Sequence, residues 1–121
     1  MNRFCRETGV GLVPWGPLYA GVLARPREAT GSTERSKGKS LTDADEKIVL
    51  RVKELADKKN WKMSQVALAW IDANVTSPIV GFSSIERMDE AIDARGKVLS
   101  NEERRYLEEC YIPKALEGHQ N

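Results

Sequence analysis

The residues best suited to chemistry lie in Thr76–Ile92, TSPIVGFSSIERMDEAI. Pro78, Ile79 and Val80 read as a short buried strand, Gly81 and Phe82 as a turn, and the two serines as the opening of a helix. Ser83 with Glu86 three residues on makes a capping box, and Ile85, Met88 and Ile92 fall on one helical face. A strand that feeds a helix N-terminus through glycine and serine can seat a phosphate, because free backbone N–H groups and the positive end of the helix dipole point at the ligand. Ser83 and Ser84 add hydroxyl donors, and Arg87 adds a guanidinium one turn in. The same residues also spell an ordinary strand-to-helix turn with a capping serine, and this stretch alone favours that plainer reading.

Other chemistry is narrowed by what the chain holds. His119 is the single histidine and sits in a polar tail, so histidine-centred catalysis in a folded core and most metal sites are not expected. Cys5 and Cys110 lie near opposite ends without metal-like spacing, which predicts two free thiols in a reducing cytoplasm. The 19 basic residues balance 18 acidic ones, so net charge gives no argument for nucleic acid or an anionic membrane. No apolar run reaches transmembrane length, and MNRFCRETG lacks the apolar core of a signal peptide.

The elements that must position the site follow from hydrophobic pattern and caps. Residues 2–7 read as the last turns of a helix ending near Gly9, and a chain that opens within a helix suggests missing upstream sequence. VGLVPW, residues 10–15, is a continuous apolar run, the pattern of a strand buried on both faces, and Pro14 ends its pairing. The loop from Gly16 to Gly21 follows, its two terminal glycines permitting close backbone approach to a ligand. Residues 25–40 are polar, with five basic and two acidic side chains, and read as a long mobile loop. Thr42 caps a helix over 43–59 whose core stripe is Ala44, Ile48, Val52 and Leu55. Ser64 caps a helix over 64–73 that is apolar on most sides and must be largely buried. The strand 78–81 and a helix over 84–95 come next. Ser100 and Glu103 then form a capping box for a helix over 101–110 with Leu107 and Cys110 inward, before a loosely ordered tail, 112–121.

Two apolar strands separated by helices predict parallel neighbours in an α/β sheet. Two strands neither close a barrel nor cover their own edges. The 121 residues therefore suit the last third of a larger α/β protein better than an independent fold.

Three blocks in order, VGLVPWGPLYAGVLARP, SQVALAWIDANVTSPIVGFSSIERMDEAI and LSNEERRYLEECY, resemble the C-terminal portion of the aldo-keto reductases, over nearly the whole chain. The texture is most similar to fungal members, some of which act in secondary metabolism. The resemblance implies the final two or so βα units of a (β/α)₈ TIM barrel, a fold of about 250 residues with its active site at the C-terminal ends of the strands. It also implies NADP(H) as cofactor and a small carbonyl substrate of the full-length protein. On that resemblance Trp15 matches the aromatic that stacks on the nicotinamide. Gly16, Pro17, Leu18, Ala20, Gly21 and Leu23 match the loop along the pyrophosphate. Gly81, at the same barrel mouth, leads into Ser83, Ser84 and Arg87, which match the grip on the adenosine 2′-phosphate and adenine.

Where many members have a basic residue beside the serine, Phe82 precedes Ser83, and Ala91 is among the positions where an asparagine would be expected. Preference for NADP(H) over NAD(H) thus rests mainly on Arg87. The family's catalytic aspartate, tyrosine, lysine and histidine belong to the first half of the barrel. Tyr19, Tyr106 and Tyr111 match none of them, and no catalytic residue is assigned. Three readings follow, in order: the C-terminal fragment of an NADPH-dependent reductase, inactive alone; a non-catalytic remnant that packs on another barrel; and a helical module binding a polyanion through residues 25–39.

Overall fold

A computed structural model of the chain describes residues 2–29 and 41–114. The expectations for His119 and for most of the loop 25–40 and tail 112–121 fall outside those residues. The described part is built from five α-helices: α1 (Asn2–Thr8), α2 (Asp43–Lys59), α3 (Met63–Asp72), α4 (Ile85–Ile92) and α5 (Asn101–Glu108). Two short 3₁₀ stretches, Tyr19–Ala24 and Arg27–Ala29, lie between α1 and α2.

Local chemistry sets the helix ends. The Thr42 hydroxyl accepts from the Asp45 N–H at 3.2 Å, and the Asp45 carboxylate accepts from the Thr42 N–H at 2.9 Å. Together they close a capping box on α2. The helix ends at Asn60 in the left-handed region (φ 54°, ψ 41°), a conformation Asn tolerates better than most residues. Ser100 and Glu103 cap α5 in the same reciprocal way, at 3.1 and 2.8 Å. Helix α3 starts one residue earlier than the expected Ser64 cap: Lys62 precedes it, and its N–H donates to the Gln65 side chain at 3.0 Å. Ser64 is thereby inside the helix and buried.

The core lies between α2, α3 and α5. Val49, Val52, Leu55 and Ala56 of α2 meet Met63, Val66 and Ala69 of α3, with Leu99 and Leu107 from the α5 end and Val22 from the Tyr19–Ala24 loop. The inward stripe of α2 thus runs through Val49 and Ala56, with Ile48 only half-buried and Ala44 at the margin. Helix α3 is buried from Met63 to Ala69, as a helix apolar on most sides requires. Helix α4 packs on α3.

The two expected strands are not strands. Residues 10–15 and 76–79 run side by side in parallel, joined by a single bridge between Trp15 and Ile79. Thr76 N–H donates to the Leu12 carbonyl at 2.9 Å and Ile79 N–H to the Pro14 carbonyl at 2.8 Å. Leu12 N–H is taken by the Thr76 hydroxyl at 3.0 Å. Pro14 and Pro78 carry no N–H, so a continuous ladder cannot form. A Cβ at Gly11 would sit 2.9 Å from that hydroxyl, so glycine there admits the Thr76 side chain. The reading of 10–15 as buried on both faces is also overturned. Val13 is 58% exposed and Ile79 56%, because among the described residues no further segment covers the pair.

The same holds for α4. Its Ile85, Met88 and Ile92 share a face, as spacing predicts, but all three are exposed, Ile85 by 70%. At the C-terminal end, Leu107 is buried while Cys110, past the end of α5, is only half-buried.

Candidate functional site

The parallel bridge decides where the chemistry-bearing residues meet. In a parallel pair both chains leave from the same end. Trp15 therefore delivers Gly16–Arg25, and Ile79 delivers Gly81–Arg87, to one side of the molecule, although more than sixty positions separate them in the sequence. Between the two segments lies a cleft of about 490 Å³, with Ser64 and Leu68 of α3 also lining it. Such a crevice outside the carboxyl ends of parallel segments is where α/β proteins place ligands.

One wall is a loop wound tightly on itself. Tyr19 N–H donates to the Gly16 carbonyl at 3.0 Å and Gly21 N–H to the Leu18 carbonyl at 2.9 Å. Gly16 (φ 69°) and Gly21 (φ 91°) adopt backbone angles that only glycine enters freely, while Tyr19 and Ala20 are held at φ 47° and 55°. Non-glycine residues in that region are strained, and here packing holds them: Tyr19 and Leu23 lie against the core beside buried Val22.

The other wall is the entry to α4. The Ser84 hydroxyl accepts from the Arg87 N–H at 3.4 Å, so Ser84, not Ser83, is the N-cap of α4. The expected Ser83 capping box is corrected accordingly. Ser83 is free for another task, and its hydroxyl accepts from the Arg87 guanidinium at 2.8 Å. That bond leaves the Ser83 proton and the remaining guanidinium donors available to an anion. The Glu86 carboxyl is held below its ordinary pKa, first by the Ser84 hydroxyl and then by its own backbone N–H. The helix start thus already favours negative charge.

Of the expected site residues, Gly16, Pro17, Leu18, Ala20, Gly21, Gly81, Ser83 and Arg87 line the cleft. Three do not. Trp15 is 85% exposed on the extended segment just before it, Leu23 packs against the core, and Ser84 is occupied in capping. Three polar lining residues were missed: Arg25, Ser64 and Glu90. Glu90 accepts a hydrogen bond from the buried Ser64 hydroxyl, and its backbone carbonyl accepts from Gln65 at 3.1 Å. Glu90 was legible in principle, since it stands three positions after Arg87 and shares its helical face. Arg25 belongs to the basic segment 25–40, but nothing local in the sequence sets it beside Arg87.

Two guanidiniums and a helix N-terminus against one carboxylate make a cleft suited to phosphate groups, and glycines let backbone approach them. The donor set, Arg25 on the loop wall and Ser83 with Arg87 on the other, is of the kind that anionic groups require, and small or apolar residues make up much of the remaining lining. Among the described residues no cluster of histidine, cysteine, aspartate or glutamate could hold a metal ion. No helix there is long and apolar enough to cross a membrane.

Comparison with known proteins agrees with the order of the sequence blocks. The model of the aldo/keto reductase family matches residues 1–112. Among curated relatives, aldo-keto reductase dtxS3 of Metarhizium robertsii is 49% identical over 98% of this chain and 34% of its own length. Aldo-keto reductase AMT2 of Alternaria alternata is 47% identical over the same shares. Versiconal hemiacetal acetate reductase of Aspergillus parasiticus is 38% identical over 96% of the chain and 36% of its own length. The chain thus spans about a third of the length of the curated relatives it matches.

Proposed function

This chain belongs to the aldo/keto reductase family, and from that premise we propose that it forms the C-terminal part of an NADPH-dependent carbonyl reductase. In this reading residues 10–15 and 78–81 become the last two barrel strands when neighbouring strands cover their open sides, with α4 among their helices. The observation that carries the proposal is the meeting of two distant segments, Gly16–Gly21 and Gly81–Arg87, around one cleft.

Within it, Ser83 and Arg87 hold the 2′-phosphate of the adenosine half. The pairing of the serine hydroxyl with the guanidinium pre-orients both groups, and charge-assisted bonds to a phosphate dianion are the strong ones. Ser84 supports them indirectly by fixing the start of α4. Gly16, Pro17, Leu18, Ala20 and Gly21 present backbone along the diphosphate, and Leu23 anchors that loop to the core. Trp15, exposed on the segment that precedes the cleft, offers a flat face against which the nicotinamide would stack, leaving its opposite face toward the substrate. When bound, the nicotinamide supplies or accepts the hydride exchanged with an aldehyde, ketone or alcohol. No residue of this chain is assigned the proton transfer. The fungal relatives favour a place in secondary metabolism, and the two free thiols, Cys5 and Cys110, favour a reducing cytoplasm.

Arg87→Ala tests the reading. It should raise the dissociation constant for NADPH by roughly ten- to a hundredfold while leaving that for NADH unchanged, since one charge-assisted contact is worth roughly 1.5–3 kcal/mol. Equal affinities of wild type and variant for NADPH would remove Arg87 from the 2′-phosphate site.

A further inference from the structure

Residues 112–121 read from sequence as a loosely ordered tail, yet Lys114 ties the chain beyond α5 back to the loop wall of the cleft. Helix α5 lies along α2, where the Tyr106 hydroxyl donates to Glu54 and Arg51 pairs with Glu109. Past the helix the chain reaches the start of α2, and there Lys114 Nζ stands 2.6 Å from Asp45 Oδ1. The same ammonium lies over the Tyr19 ring, 5.6 Å from its centre, within the range of a cation–π attraction. One cation thus joins three segments: the chain after α5, the first turn of α2 and the loop Gly16–Gly21.

Asp45 divides its oxygens between two tasks. Oδ2 accepts from the Thr42 N–H at 2.9 Å and from its hydroxyl at 2.8 Å, which closes the α2 cap. Oδ1 takes Lys114. The cap fixes the carboxylate in place, and at 13% exposure for Asp45 against 36% for Lys114 the pair is screened less than one on open surface. The next residue, Glu46, accepts from Arg27 beyond the far end of the loop. The loop needs such anchors. Tyr19 and Ala20 stand at φ 47° and 55°, a region non-glycine residues keep only where their surroundings over-determine it. Within the loop, the N–H groups of Gly21 and Leu23 both donate to the Leu18 carbonyl, at 2.9 and 3.3 Å. Lys114 itself is outside the cleft lining. We infer that Lys114 is a positioning residue: through Asp45 and the Tyr19 ring, the segment after α5 holds the Gly16–Gly21 wall in its left-handed turn. The shape of one wall is then set from outside the cleft, whatever ligand the cleft takes.

The test is amide hydrogen exchange of the 121-residue chain, read by NMR at several sub-denaturing urea concentrations. Exchange through a local opening is insensitive to urea, whereas exchange through global unfolding rises with it. Gly21 and Leu23 should exchange by the urea-insensitive route. Lys114→Met, which keeps the length of the side chain and leaves the Thr42–Asp45 cap, should speed them by about tenfold by that same route. Lys114→Arg, which keeps the charge, should hold them near the wild-type rate. A contribution to general stability alone would instead move the urea-dependent amides of α3 and leave Gly21 and Leu23 where they were. Wild-type rates at those two amides in Lys114→Met would overturn the inference. So would wild-type exchange there that climbs with urea as steeply as at Val66, since the loop would then have no opening of its own to be held against.

Discussion

Ser83 and Ser84 are adjacent and chemically alike, yet the structure gives them different work. Ser84 takes the backbone at the start of α4 and Ser83 takes the Arg87 side chain. Exchange of either for alanine should therefore have separable effects. Ser84→Ala removes a helix cap and should lower stability by about 1 kcal/mol, read as a lower urea midpoint. Ser83→Ala should leave that midpoint in place and weaken 2′-AMP binding; a shared loss of stability would contradict the division. From sequence, the capping role fell on Ser83, because Glu86 stands three residues after it. The two candidate caps differ by one position, and only backbone geometry separates them. Arg25 was legible only as part of a basic segment and not as a cleft residue, because Arg87, which lines the same cleft, is 62 positions away.

At the scale of elements, what depends on near neighbours was legible and what depends on distant partners was not. The capping residues Thr42 and Ser100 are local devices, and both are present. The burial of α3 follows from its composition alone. The extended segments and the outer face of α4 differ, because an apolar stripe says that something must cover it without saying where that partner is. Their exposure in this chain makes a quantitative contrast. Leu55→Ala in α2, at the packed core, should cost about 2–5 kcal/mol. Ile85→Ala, on the uncovered face of α4, should change stability by less than about 0.5 kcal/mol. A large loss at Ile85 in the isolated chain would mean that face is covered after all.

The helix starts also set the response to acid. Burial works to raise the Asp45 carboxyl, but hydrogen bonds from Lys114 and Thr42 outweigh it and bring its pKa below the ordinary value. Burial likewise opposes the fall at Glu103, where the Ser100 N–H and Lys59 prevail. A carboxyl with a lower pKa folded than unfolded binds fewer protons in the native state. Its stabilisation is complete above the unfolded pKa and disappears as the pH falls through the folded one. Urea midpoints should hold near neutral pH and drop as the pH passes down through and below about 4. Lys59→Met, which removes the cation beside Glu103, should flatten part of that decline, and an unchanged wild-type midpoint down to about pH 3 would contradict the assignment.

For the whole molecule, the helical core and the cleft are assembled within this chain, whereas the extended pair is open on its flanks. On the proposed reading the molecule would hold part of a cofactor site, with no proton donor assigned. The pure 121-residue chain should accordingly show no NADPH-linked carbonyl reduction, measured by loss of nicotinamide absorbance. Turnover that disappears on substituting Trp15 or Arg87 would overturn that expectation.

The central claim, that the cleft is a dinucleotide site, is met most directly by mapping 2′,5′-ADP onto the ¹⁵N amide spectrum of the chain. The account predicts saturable shifts at Gly16–Gly21 and at Gly81–Arg87 together, with the remote end of α5 unmoved. Shifts absent from both segments, or confined to residues outside the cleft, would contradict it.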